Sequence, residues 1–258
     1  MGKQLVVIKI GGLAATHEAT LQVLLQEMFE LKKRYQWLLV HGGGKEVTQV
    51  SEKFGLTAQF HDGIRLTTPE EMPIVDMVLA GRINTYLVRS ANVAGFRAVG
   101  LGGQDGHLFL AHPMQTANMS DCRTGHPSQV NTELLKLLLK KKYLPVLHST
   151  SMTHEGKGMN INADEVALVI ASTLKAKSLL FLSDVDGVQV DGQSVPTLDQ
   201  KQAHLLIQHQ KITGGMVPKI QSSFNAIKNG VGQVVIGQFQ LFGDLKKLLL
   251  HQKGTTIT

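Results

Sequence analysis

The chain has 258 residues, 43% of them hydrophobic, enough for one large α/β domain or two lobes of roughly 150 and 100 residues. Its net charge of +6 suits anionic small molecules, while 5% aromatic content with no basic run interleaved argues against a nucleic-acid groove. A single cysteine, Cys122, excludes an internal disulfide framework and fits a reducing compartment. The N-terminal apolar run of about six residues is too short for a signal peptide or a membrane span, so a cytoplasmic protein with no membrane partner is expected.

Residues 5–10 are apolar and mostly β-branched except for Lys9, which predicts a strand buried on both faces, as in parallel sheets. A lysine near the exit of such a strand is costly to bury unless an anion meets it, and Gly11 and Gly12 after it let a ligand approach the backbone. A lysine that snorkels to water before an ordinary turn fits the same stretch. Helical spacing follows at Leu21, Leu24, Leu25 and Met28, then a second buried strand at residues 37–40 runs into His41-Gly42-Gly43-Gly44, with helix signals resuming at Val47 and Val50. Strand, glycine-rich turn and helix present free N–H groups and the positive end of a helix dipole to an anion. The arrangement occurs twice.

Two phosphate motifs are excluded. Gly44-Lys45-Glu46 lacks the hydroxyl residue and upstream glycine of a Walker A loop, which leaves Lys45 at the surface. The glycines of residues 100–106 run into a strand-like alternation at residues 107–111, whereas a dinucleotide-binding turn opens a helix.

Asp62-Gly63-Ile64-Arg65-Leu66-Thr67 is a turn with an arginine just upstream of a helix start, where Thr68 and Glu71 form a capping box and Pro69 takes the first helical position. The fork of Arg65 suits a carboxylate, substrate or protein. That helix extends toward Val93, residues 97–100 form a strand, and residues 112–130 read as exposed loops or a hairpin. A helix at residues 131–141 and a strand at residues 144–147 follow, then a hairpin with its tip near residues 155–158. Asn162 is an N-cap with Glu165 completing the box, so Asp164 lies in the first turn of a largely buried helix, with Asn160 in extended chain before it. Locally, Asp164 reads first as a carboxylate complementing the helix dipole.

A second lobe is expected from Ala176 onward, giving lobes of residues 1–175 and 176–258. It holds a strand at residues 178–182, the turn Ser183-Asp184-Val185-Asp186-Gly187, a hairpin around Asp191-Gly192, a helix over residues 197–210, and Gly214-Gly215 ahead of a helix that carries Lys219 in its first turns. A strand at residues 233–236 and a closing helix at residues 242–250 end the pattern. Eleven histidines show no i, i+4 pair bracketing a carboxylate, so no side-chain metal centre is assigned, and no nucleophile elbow or Cys-His pairing is evident.

Six segments, Lys9-Ile10-Gly11-Gly12, His41 to Gly44, Asp62 to Thr67, Asn160-Ile161-Asn162-Ala163-Asp164, Ser183 to Gly187 and Gly214-Gly215-Met216-Val217-Pro218-Lys219, resemble in order and spacing the acetylglutamate kinases, members of the amino acid kinase family. The resemblance spans nearly the whole chain. It implies an open, mainly parallel sheet sandwiched by helices, with the acyl amino acid bound in the N-terminal lobe and ATP in the C-terminal one. It further implies phosphorylation of the γ-carboxylate of N-acetyl-L-glutamate, with Lys9 and Lys219 on the transferring phosphoryl group, Asp164 holding both ammonium groups, and Mg²⁺ carried by the nucleotide. Backbone N–H groups near Gly11, Gly12 and Gly44 would add fixed dipoles. Gly43, Gly44, Arg65 and Asn160 match substrate positions; Gly11, Gly12, Asp184, Val185, Asp186, Gly187, Lys211, Ile212 and Thr213 match the nucleotide edge. Two departures lie in the substrate lobe: the run of residues 147–154 is polar where the family is apolar and glycine-containing, and Gln104 stands where a lysine is common. The first strand begins by about Gln4, without the N-terminal helix of arginine-inhibited members, so an arginine-insensitive homodimer is expected. A same-fold kinase for another acceptor such as N-acetyl-aminoadipate, and a non-catalytic nucleotide-binding protein, are the alternative readings.

Overall fold

The computed structural model describes residues 2–11, 17–61, 63–115 and 121–258. In chain order, β1 (Gln4–Ile10), α1 (Glu18–Glu30), β2 (Tyr35–His41) and α2 (Gly44–Lys53) precede a small pair, β3 (Gln59–His61) and β4 (Ile64–Leu66). Next, α3 (Met72–Asp76) passes through a π-helical segment (Met77–Asn84) into α4 (Thr85–Val93) and β5 (Ala98–Leu101). The middle of the chain holds β6 (Leu110–Pro113), β7 (Thr124–Ser128), α5 (Glu133–Lys140), β8 (Leu144–His148), β9 (Thr150–Met152), β10 (Gly158–Ile161) and α6 (Ala163–Thr173). The remainder is β11 (Ser178–Leu182), the hairpin β12 (Gln189–Val190) and β13 (Gln193–Ser194), β14 (Thr197–Leu198), α7 (Gln200–Gln208), α8 (Met216–Lys228), β15 (Val234–Gly237), α9 (Asp244–Leu249) and β16 (Thr255–Ile257).

Eight strands form one sheet in the order β14-β16-β15-β11-β1-β2-β8-β5. Every pairing from β15 to β5 is parallel, and only β16 runs antiparallel to its neighbour β15. A second sheet, β6-β7-β10-β9, stands beside it. The apolar strand runs seen in the sequence follow from burial on both faces: Val6, Ile8 and Ile10 pack with α1, α3 and α4, whereas Val7 packs with α6 and α8. Lys9 shares the parity of Val7 and so emerges on the α6 side.

The strand order reverses at β1. From β1 the chain moves to β2 on one side, while β11 lies on the other side, reached through α6 and left through α7 and α8, all on the face opposite α1. The carboxyl ends of β1 and β11 therefore open a crevice, the place where open parallel sheets bind ligands.

Several boundaries differ from the sequence expectation, each for a local reason. Glu71 takes a backbone bond from its N–H to Thr68 Oγ1, but its carboxylate turns to Arg65, so the capping box at residues 68–71 is half formed and α3 starts at Met72. Likewise Asn162 caps α6 by accepting from the Asp164 N–H, while Glu165 reaches His126 at 2.8 Å instead of closing a box. The helix expected from residue 197 begins at Gln200, because Thr197 and Leu198 join the sheet and Asp199 with Gln202 builds a complete capping box. The strand-like alternation at residues 107–111 is shifted to Leu110–Pro113, which pairs antiparallel with β7, inside the stretch of residues 112–130 expected as exposed loops or a hairpin. Strand β16 had no counterpart in the sequence reading: its three residues, two of them threonines, are too few to show a period, yet all are buried.

One buried carboxylate ties the fold together across its length. Glu27 of α1 is 3% exposed and accepts from the backbone N–H groups of Gly243, Leu245 and Lys246 at the start of α9. It supplies the side-chain cap that Gly243 lacks. Glu27→Ala leaves the buried N–H of Leu245 and the half-buried ones of Gly243 and Lys246 without this acceptor and is expected to destabilise the chain by about 2 kcal/mol, read as a lowered urea midpoint with unchanged slope.

Candidate active site

Three side chains from three elements meet in the crevice. Lys9 Nζ, from the end of β1, lies 2.8 Å from Asp164 Oδ1, and Lys219 Nζ, from the first turns of α8, lies 3.0 Å from Asp164 Oδ2. All three are about one-fifth exposed, so the cluster is recessed but open. Burial pushes the Asp164 carboxyl up, but the Lys9 and Lys219 ammonium groups together outweigh it and hold the carboxyl below its usual range. The start of α6 adds its helix dipole in the same sense. Phe181 of β11 closes the floor, its ring centroid 5.4 Å from Lys219 Nζ.

The glycines make room. A Cβ on Gly11 would lie 2.9 Å from Lys9 Nζ and 3.3 Å from Leu182 O, so any side chain there displaces the lysine. The N–H of Gly11 donates to Leu182 O at 3.1 Å, extending the ladder between β1 and β11. Gly11 therefore contributes space and not the free dipole expected from the sequence. Gly12 lies outside the described residues. A Cβ on Gly43 would sit 2.2 Å from Ile83 Cδ1 in the π-helical segment, and one on Gly42 would touch Ala163 at the start of α6. These contacts bring the N-termini of α2 and α6 to the crevice, and the first N–H groups of each have no intrahelical acceptor. Lys45 is exposed, as expected.

Arg65 is 8% exposed and already engaged. Its Nη1 donates to Glu71 Oε1 at 2.7 Å, and its Nη2 donates to Gly44 O at 3.0 Å and to the Thr48 hydroxyl. A guanidinium has five N–H donors, so Nε and one Nη1 hydrogen remain. Asn160 Nδ2 donates to Thr67 Oγ1 at 2.9 Å, and Thr67 donates its N–H to Thr124 Oγ1, which joins Asn160 to the segment carrying Arg65. Arg65 thus lies against the start of α2, and Asn160 is linked to its segment through Thr67. Glu71, Thr48 and Ser51, whose hydroxyl donates to Glu71, were not foreseen; an acidic residue six positions after the arginine was the available signal.

On the other side of β1, Asp184, Val185, Asp186 and Gly187 form the bend after β11, and Gly187 (φ +144) packs so closely that a Cβ would lie 2.6 Å from Thr255 Oγ1. Lys211 pairs with Asp191 at 2.5 Å, joining the loop of Lys211, Ile212 and Thr213 to the β12–β13 hairpin, and Ile212 is buried. Among the described residues, no group of three or more His, Cys, Asp or Glu is placed to hold a metal ion.

Behind the glycine turn lies a buried polar link. His41 Nδ1 donates to Gly42 O at 3.0 Å, and its Nε2 accepts from Asn84 Nδ2, which also donates to Val146 O. The His148 ring lies 6.5 Å away, and its Nδ1 bonds Thr150.

This is an α/β protein with a crevice at a strand-order reversal, in which two ammonium groups meet on one carboxylate. The sequence pattern of the amino acid kinase family matches residues 4–238, and the chain belongs to that family. It is 38% identical over 231 residues to an acetylglutamate kinase of Kosmotoga olearia, covering 89% of this chain and 82% of that protein. It is 34% identical over 236 residues to one of Endomicrobium trichonymphae, covering 91% and 93%. Among solved structures it resembles smu.665 of Streptococcus mutans, with TM-score 0.84, 28% identity and 98% of both chains covered. A carbamate kinase of Giardia lamblia bound to AMP-PNP shares the fold, with TM-score 0.77 and 17% identity over 99% and 98% of the chains.

Burial pushes His41 down to about 4, against its bond to Gly42, and pushes His148 to about 4 as well. Both are neutral in the folded chain and take up protons on unfolding, so stability is full above about pH 6.5 and falls toward pH 4. The expected slope is up to about 1.4 kcal/mol per pH unit for each histidine. Urea unfolding at pH 7, 6 and 5 checks it, and His148→Gln should remove about half of the slope.

Proposed function

We propose that the chain transfers the γ-phosphoryl group of MgATP to the γ-carboxylate of N-acetyl-L-glutamate, giving N-acetyl-glutamyl 5-phosphate and ADP, the reaction named for its curated relatives and a step of arginine biosynthesis. The observation that carries this reading is the meeting of Lys9 and Lys219 on the two oxygens of Asp164 at the mouth of the crevice. The same residues on opposite surfaces would have removed it.

A carboxylate with a pKa near 4.3 is ionised at pH 7, so no base is needed to activate the acceptor. One of its oxygens forms a bond to the γ-phosphorus while the bond to the β,γ-bridging oxygen breaks, and ADP leaves with the electron pair. The obstacle is repulsion between two anions. Lys9 neutralises charge from the acceptor side and Lys219 from the donor side. Between them Asp164 offsets the mutual repulsion of the ammonium groups, which for unit charges 4 Å apart is about 4 kcal/mol at an effective dielectric of 20. Mg²⁺ carried by the nucleotide would add charge neutralisation on its phosphates, with no side-chain ligands assigned to it among the described residues.

In this reading residues 1–175 hold the acyl amino acid and residues 176–258 the nucleotide. The N–H groups of Gly44 and the next residues of α2, the backbone at Gly43, the remaining donors of Arg65, and Asn160 bind the carboxylate and acetamide of the acceptor. Gly11, Gly12, the bend from Asp184 to Gly187 and the loop from Lys211 to Thr213 border the nucleotide. The protein works in the cytoplasm as a homodimer; among the described residues no helix is long and apolar enough to cross a membrane.

Purified protein incubated with MgATP and a panel of acyl amino acids, the acyl phosphate being trapped by hydroxylamine, is expected to give hydroxamate from N-acetyl-L-glutamate. Product from N-acetyl-aminoadipate alone would replace the acceptor, and ADP binding without turnover would remove the activity. Lys219→Ala and Lys9→Ala are each expected to lower turnover by about 10²–10³, or about 2.7–4 kcal/mol of barrier. A change confined to nucleotide affinity would take that lysine out of the chemical step.

A further inference from the structure

The sheet edge opposite the crevice carries its own pattern of charge. A cation stands within two residues of the start of each of five neighbouring strands: Lys177 before β11, Lys3 before β1, Arg34 before β2, Lys142 before β8 and Arg97 before β5. Since these strands are parallel, the cations form one rim. Part of that rim borders an open concavity of about 460 Å³ lined by Lys3, Lys32, Lys33, Arg97, Lys142 and Trp37 among others, with no Asp or Glu in its wall. The chain as a whole has 26 Lys and Arg against 20 Asp and Glu, so five charges of one sign in one concavity depart from the general mixture.

Helix C-termini attract cations, and the end of α5 accounts for Lys140 and Lys141 in that way. Lys142 needs more. It follows the C-cap of α5 in the left-handed region at φ +61, where glycine is the usual residue and a side chain is strained. Lys175 occupies the same position after α6, but its Nζ donates to Asn229 O. The Lys142 ammonium has no such partner among the described residues, and neither have those of Lys3 and Lys33. Two other cations are already set in place on rings: Lys32 Nζ is 3.0 Å from the Phe29 centroid, and Arg97 is 4.1 Å from that of Tyr143, to whose hydroxyl it also donates.

We propose that this concavity is a second ligand site, distinct from the crevice, that takes a compact polyanion bearing two or more phosphate or carboxylate groups. Five cations around one concavity raise a positive potential that attracts an anion, and a concavity of this volume is the size of a small-molecule site. Ring-stacked Lys32 and Arg97 lose less freedom on binding than free side chains would.

The chain's only tryptophan, Trp37, lines the concavity, so its emission reports occupancy directly. Titration with inorganic pyrophosphate at low salt is expected to give a saturable emission change that weakens steeply as salt is added. The double variant Lys33→Ala/Lys142→Gly should bind about tenfold more weakly. It should melt no lower than the parent, because glycine relieves the strain at position 142, and its MgATP-dependent turnover should be unchanged. An absent emission change, equal affinity in the double variant, or tighter binding of an RNA oligomer or an acidic polypeptide than of pyrophosphate would overturn the proposal. None of these readouts depends on which acid accepts phosphate in the crevice.

Discussion

The contact on which the site depends is a carboxylate shared by two ammonium groups. Lys9 alone at the end of a buried strand would carry a heavy desolvation cost, and Lys219 brought near it would add repulsion. Asp164 meets both, and its ionisation is secured by those same cations and by the start of α6. The three residues come from β1, α6 and α8, so the cluster forms only when the two sides of the crevice are assembled. The surrounding glycines at 11, 42 and 43 follow from this, since a Cβ at any of them would strike Lys9, α6 or the π-helical segment.

A second layer of contacts holds the anion-facing end of α2. Arg65, fixed by Glu71, ties down Gly44 O, while His41 holds Gly42 O from behind and is itself held by Asn84. Asn84 closes the π-helical stretch whose Leu79 and Ile83 pack against Gly43. Wider turns of this kind recur at functional sites because the bulge redirects side chains. Here it points apolar groups at a glycine and an amide at a histidine.

Much of this was legible from the residues. Long apolar strands and glycine turns are local signals, and the alternation of strand and helix restricts the topology to parallel crossovers, whereas the roles of Lys9, Asp164 and Lys219 stood out only through the family resemblance of the segments that carry them. What the sequence could not show are choices between partners. Glu71 and Glu165 sit where a capping box is possible, and each abandons it for a distant cation or imidazole. For Arg65 the choice between a ligand and a protein carboxylate stayed open because the residues it holds are six, 17 and 21 positions away. The amide of Gly11 looked free because its acceptor, Leu182, belongs to a strand that only the fold places beside β1.

Strand β16 has a role on the far side of the crevice. Thr255 accepts from the Val188 N–H, donates to Val195 O, and fills the space left open by Gly187. The bend after β11 is thus shaped by a hydroxyl 67 residues further along the chain. The side of the crevice that carries Lys9 and Asp164 is thus encoded wholly upstream of the residue that shapes the bend after β11, so a change at Thr255 alters the opposite wall without touching either partner of that ion pair.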